Sequence, residues 1–285
     1  MKNLKDSRIF SFIIIFVVYV IATVVGVLVY NALSFEFYIN LLIADVVATA
    51  VVFIFSVVLN NASVYDPYWS VLPVIVMAFY VAKTGLTVVT ILPLIAICLW
   101  GVRLTANWAY TFHGLNHQDW RYTMLKEKTG AFYPLVNFLG IHLFPTLVVY
   151  GCILPAVFIF KTENLAINVG SILFFVLSIF AVILQGVSDY QMHAYRKNRN
   201  GNFIRKGLWK YSRHPNYLGE ILMWWGVALY LVTIQPNLWY LCAGALVNTL
   251  MFIFISIPMA DKRQSKKQGF NEYKVETRML LPIKK

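Results

Sequence analysis

The chain has 285 residues, 60% of them hydrophobic and only 13% charged, with a formal net charge of +12. Soluble domains hold about 45–50% apolar and about 25% charged residues, so this composition excludes a soluble globular protein. The basic excess is not a nucleic-acid signal, because its placement follows membrane topology.

Taken in order, apolar runs at 9–30, 38–59, 70–82, 86–106, 134–160, 165–188, 215–233 and 238–259 predict an all-α bundle of eight transmembrane helices. The first run is too long for a signal-peptide core and lacks a small-residue cleavage site, so it counts as a span. The third is short and follows a Pro-containing loop, which suits a tilted or partly re-entrant segment; without it the count is seven. Eight crossings put both termini on one face. Of the 24 basic residues, all but Lys83 and Lys161 then share that face, which the positive-inside rule makes cytoplasmic. No linker or repeat divides the chain, so residues 1–285 are expected to form a single integral membrane domain. Cys98, Cys152 and Cys242 sit in apolar runs without metal-site spacing and read as small core residues.

Polar residues inside or beside these runs are the candidates for chemistry. Asp45 lies within the second run, and an intramembrane acid is either a functional group or a carboxyl bonded to a neighbouring helix. The segment 60–73, NNASVYDPYWSVLP, sets Asp66, Tyr68 and Trp69 at the mouth of the short helix, where an ordinary turn with an aromatic belt also accounts for them. In 100–122, Arg103 and Asn107 are four apart on one helical face with Tyr110 a turn later, as in a pocket wall. His113 and His117 are also four apart but have no third ligand at metal-site spacing, so no metal is expected. The sixth run continues past the membrane edge with Gln185, Asp189, His193 and Arg196 on one stripe, Arg196 being placed for a phosphate.

The densest stretch is 205–220, RKGLWKYSRHPNYLGE. Lys206, Lys210 and Arg213 offer charge to an anion, while Trp209 and Tyr211 can stack on a planar ring. Asn216 and Glu220 fall one turn apart at lipid depth, where an unpartnered amide and acid cost several kcal/mol. A carboxamide and a carboxylate beside aromatic planes suit the amide edge of a nicotinamide or an adenine. The basic tail adds Asp261, Gly269, Phe270 and Tyr273, and ends in an apolar MLLPI able to dock back.

RHPNYLGE, preceded by GLWKYS and following an SDYQ helix end, resembles the steroid 5-alpha-reductase-like membrane oxidoreductases. The NNASVYDPYWSVLP and WGVRLTANW segments resemble more specifically their bacterial branch, which carries a domain of unknown function (DUF1295 type). The resemblance covers roughly 40–283, with 185–283 as the cofactor-binding part. It implies NADPH bound from the cytoplasmic side and a steroid, sterol, enone or polyprenoid entering sideways from the bilayer. By motif it implies cofactor contacts for Asp189, Arg196, Trp209, His214, Asn216, Tyr217 and Glu220, closed over by Asp261, Gly269 and Tyr273. Two positions depart from the family pattern: Trp100 stands where a substrate-polarising Tyr is expected, and Met192 where some sterol reductases have Lys. The proton donor is therefore sought among Tyr68, Asp66, Asp45 and Tyr110, with Trp69, Arg103 and Asn107 lining the substrate pocket.

The expected function is NADPH-dependent reduction of a C=C bond in a lipid-like substrate. The alternative is a methyltransferase of the isoprenylcysteine carboxyl type, which shares an RHPxYxG core and uses S-adenosylmethionine. Asn after the Pro, Glu after the Gly, and Asp261–Lys262–Arg263 in place of a paired Glu favour the reductases. Expected partners are a hydrophobic small molecule and membrane lipids, with no nucleic acid and no oligomer implied. The expected location is a bacterial inner membrane, or the endoplasmic reticulum in a eukaryote.

Overall fold

A backbone buried in lipid must satisfy its own N–H and C=O groups, and a long apolar run does so as a helix. The computed structural model describes residues 4–198 and 202–284, and eight of its helical stretches are long and apolar enough to cross a membrane. The first four contain α1 (Arg8–Ala32), α2 (Phe37–Val58), α3 (Tyr68–Thr84) and α4 (Val88–Thr111). The 17 residues of α3 rise about 26 Å, a little less than a hydrocarbon core. A 3₁₀ turn at Ala62–Tyr65 lengthens that span to Ala62–Thr84.

The fifth span, Trp120–Lys161, is not a uniform rod. It comprises α5 (Trp120–Thr129), a π-helical turn at Asn137–Leu143, and α6 (Phe144–Lys161). Next come α7 (Val169–Lys197) and α8 (Pro215–Ile234). The last span holds α9 (Ala243–Met251) and α10 (Ile257–Gln264) around a second π-turn, and α11 (Phe270–Glu276) follows. Among the described residues there is no named strand, only one isolated bridge between Ser212 and Arg278.

The chain forms two compact units, the first from Met1–Phe79 with Leu104–Tyr150 and the second from Tyr80–Arg103 with Gly151–Lys285. The first unit buries Val18, Tyr19, Val52, Val64, Tyr65 and Phe112 in one cluster. Its polar loops are laced together. The Asn61 amide donates to Leu115 O at 2.6 Å, and Asp119 N donates to Ser63 Oγ at 2.9 Å.

In the second unit α7 and α8 lie in very close contact. A Cβ on Gly219 would fall 2.7 Å from Ala181 O, and one on Gly226 would fall 2.1 Å from Ser178 Oγ. These glycines are two turns apart on one face, so α8 approaches α7 along its length. That approach sets Glu220, the residue after Gly219, against the Gln185 side chain.

Candidate functional site

Glu220 sits in the second turn of α8 and is buried, 4% exposed. Its Oε1 accepts from Trp100 Nε1 at 3.0 Å and from Trp224 Nε1 at 3.1 Å. Its Oε2 accepts from Trp100 Nε1 at 2.9 Å and from Gln185 Nε2 at 3.2 Å. Arg103 completes the cluster, 2.7 Å from Asp189 Oδ2 and 3.6 Å from Glu220 Oε2, and it also donates to Gln185 Oε1. The acid expected to await a ligand is thus enclosed by protein donors. Gln185 and Asp189, read as one stripe, do converge, and Arg103 joins them.

Asn216, one turn earlier, differs. Its Oδ1 is buried and accepts no hydrogen bond. It starts α8 beside a latch that fastens the tail to the 205–214 loop. Arg213 Nη1 donates to Thr277 O at 2.6 Å and to Lys274 O at 3.2 Å, while its Nη2 lies 3.3 Å from Asp261 Oδ2. His214 Nε2 lies 2.9 Å from Asp261 Oδ1, and its ring stacks on Tyr217 at 5.2 Å, with planes 6° apart. The Tyr273 hydroxyl donates to Trp209 O, and Trp209 Nε1 donates to Ser188 O at 3.1 Å. Burial pushes the Tyr273 hydroxyl up to about 12. Gly269, at φ +79, takes the left-handed turn that leads into α11.

Around the latch, three side-chain atoms are buried without a partner: Asn216 Oδ1, Arg213 Nε, and Gln264 Oε1 one turn beyond Asp261. Such atoms are rare in native proteins and each calls for a water or a ligand. Lys206, Lys210 and Arg196 lie on exposed positions. In the apolar MLLPI end, Leu281 and Ile283 are each 53% exposed, Met279 and Leu280 are half-buried, and Ser212 Oγ donates to Met279 O at 3.5 Å.

The candidate proton donors all fall in the first unit, and they part company there. Asp45 and Tyr68 are buried at 5% and 4% exposure, and both face Thr49. Asp45 Oδ1 and the Tyr68 hydroxyl have no hydrogen-bond partner. Thr49 belongs to a hydroxyl chain: its Oγ1 is 2.9 Å from Thr146 Oγ1, which is 2.8 Å from the Tyr65 hydroxyl. Asp66 instead accepts from the Tyr122 hydroxyl at 2.5 Å. Tyr110 is 66% exposed, Trp69 packs against the apolar cluster, and Asn107 is half-buried. His113 and His117 pack edge to face at 5.8 Å.

Sequence reasoning missed Trp224 and gave Trp100 no role beyond a departure, yet both hold Glu220. Trp224 is four residues from Glu220, a signal that was available. Thr49, four residues after Asp45, was equally visible. Thr146 and the buried His142 on the π-turn had no comparable signal.

A family profile described as "Protein of unknown function (DUF1295)" matches residues 52–277. An uncharacterized protein of Schizosaccharomyces pombe, C594.04c, is 26% identical over 201 residues, covering 59% of this chain and 57% of that protein. The match thus spans little more than half of that relative's length. No solved structure matches the chain.

Proposed function

The chain belongs to the DUF1295 family, and from that premise we propose that it is a multi-pass membrane reductase of the steroid 5-alpha-reductase-like kind, using NADPH to reduce a C=C bond in a lipid-like substrate. The carrying observation is the buried, unpartnered Asn216 carbonyl at the start of α8, beside the latch of Arg213, His214, Asp261 and Tyr273. Two acceptors, Asn216 Oδ1 and Gln264 Oε1, and one donor, Arg213 Nε, fit the amide, amine and ring-nitrogen edges of a dinucleotide.

When bound, the nicotinamide supplies the hydride. This chain's own residues bind, orient and seal. Asn216 would accept from the carboxamide, Lys206, Lys210 and Arg196 would neutralise phosphates, and the docked tail would exclude water. Glu220 and Arg103 act as positioning residues, because the Trp100–Glu220–Gln185–Asp189 network fixes the first turns of α8, where Asn216 stands. The substrate is taken up from the bilayer of a bacterial inner membrane.

Thermal stabilisation of the detergent-solubilised protein tests this reading. NADPH should raise the melting temperature and S-adenosylmethionine should not. A shift with S-adenosylmethionine alone would make the protein a methyltransferase, and a shift with neither ligand would remove the cofactor assignment.

A further inference from the structure

After α10 the chain leaves the membrane and turns back to the point where α8 enters it. Asp261, near the end of α10, lies 3.3 Å from Arg213 Nη2 and 2.9 Å from His214 Nε2, just before α8 starts at Pro215. Two span ends are thereby tied together at one level. The tail reaches that level too: Ser212 and Arg278 form the isolated bridge, and Arg213 N donates to Arg278 O at 3.0 Å. A segment joined two residues ahead of a span lies in the headgroup layer.

Beyond this junction the tail closes into a short loop. Arg278 Nε donates to Lys284 O at 3.4 Å, and Ile283 N donates to Leu281 O at 2.9 Å across Pro282. Met279 and Leu280 are half-buried against the protein, whereas Leu281 and Ile283 are each 53% exposed, and Val275 on the docked α11 is 70% exposed. The charges around them are one-sided. From 262 to 284 seven residues are basic and two acidic, and one of those acids, Glu276, already pairs with Arg205 at 2.6 Å. Lys274, Arg278 and Lys284 are exposed beside the apolar residues.

Exposed apolar side chains fringed by Lys and Arg favour an interface carrying negative headgroups. We propose that the 278–284 loop docks on the surface of the protein's own bilayer, with Leu281 and Ile283 inserted among the headgroups and anionic phospholipid held by Arg278 and Lys284. A second copy of the chain would bring the same basic charge to the same place and be repelled. The docking surface does not use Asn216 and does not rest on the nicotinamide reading.

Photocrosslinking of the full-length protein tests the assignment. Leu281→benzoylphenylalanine is illuminated in nanodiscs of phosphatidylcholine with a minor share of phosphatidylglycerol, and the products are weighed intact. Lipid adducts should form, with phosphatidylglycerol exceeding its share about five-fold, the preference that one well-placed basic residue confers. Ile13→benzoylphenylalanine, at an exposed apolar position of α1, should capture the two lipids in their bulk proportion. Adding Lys284→Glu to the residue-281 probe should bring phosphatidylglycerol most of the way back to its share, with unchanged melting because the lysine is exposed. Links to a second copy or within the chain in place of lipid, adducts at residue 281 in bulk proportion, or an excess that survives Lys284→Glu would overturn the proposal.

Discussion

Glu220 and Asn216 are one turn apart, yet removing them should have very unequal consequences in the absence of any ligand. Glu220→Ala deprives Trp100, Trp224 and Gln185 of their acceptor and leaves Arg103 with Asp189 as its one carboxylate, beside the Gln185 carbonyl. Each stranded buried donor costs about 1–3 kcal/mol, and breaking a buried ion pair by deleting one partner costs about 3–5 kcal/mol. These contributions overlap in one network, so a total near 3–5 kcal/mol is the working magnitude. At roughly 2–4 °C per kcal/mol, the melting temperature should fall by roughly 6–20 °C. Glu220→Gln keeps one accepting oxygen for the indoles and should lose less. Asn216→Ala removes an acceptor that has no partner, so the free protein should melt within about 0.5 kcal/mol of the wild type. Fluorescence-detected size exclusion after stepwise heating measures all three. A Glu220→Ala protein that melts with the wild type would refute the idea that protein groups alone hold this acid at depth.

Three further outcomes follow from the fold. Arg213→Ala releases the carbonyls of Lys274 and Thr277 together with Asp261, so trypsin should cut at Lys274 and Arg278 several-fold faster; an unchanged rate would count against the latch. The Tyr273 hydroxyl, pushed up to about 12 by burial, binds its proton more tightly folded than unfolded, so its contribution is intact below pH 10 and is lost as pH rises through 12. Tail protection should decline over that window in the wild type, and Tyr273→Phe should lack the step. Finally, a membrane-impermeant maleimide applied to intact cells should label Glu163→Cys and spare Ser265→Cys; the reverse pattern would invert the topology.

How much of this was readable beforehand depends on the range of the interaction involved. Hydropathy marks helices one at a time, so all eight spans were visible, and the basic residues arranged them about the membrane. Spacings of four placed Gln185 with Asp189 and Asn216 with Glu220. What the spacing could not say was which of those groups the protein itself completes. The partners of Glu220 from other helices are Trp100 and Gln185, and the helix carrying Gln185 comes this close to α8 only because Gly219 and Gly226 lack side chains. Arg213 was read as charge for an anion, whereas it is largely occupied with carbonyls some sixty residues further on. The hydroxyl chain of Thr49, Thr146 and Tyr65 joins segments far apart in the chain, with no periodic signature. Asp45 and Tyr68 stand on different helices with no spacing that relates them, and what they share is Thr49, which both face.

The central proposal is that a nicotinamide dinucleotide occupies the latch and completes Asn216. Energy transfer from tryptophan to NADPH in the detergent-solubilised wild type measures this most directly. The expected result is a saturable signal, displaced by NADP⁺ and strongly weakened in Asn216→Ala at unchanged fold stability. No saturable signal in the wild type, or equal affinity in Asn216→Ala, would contradict it.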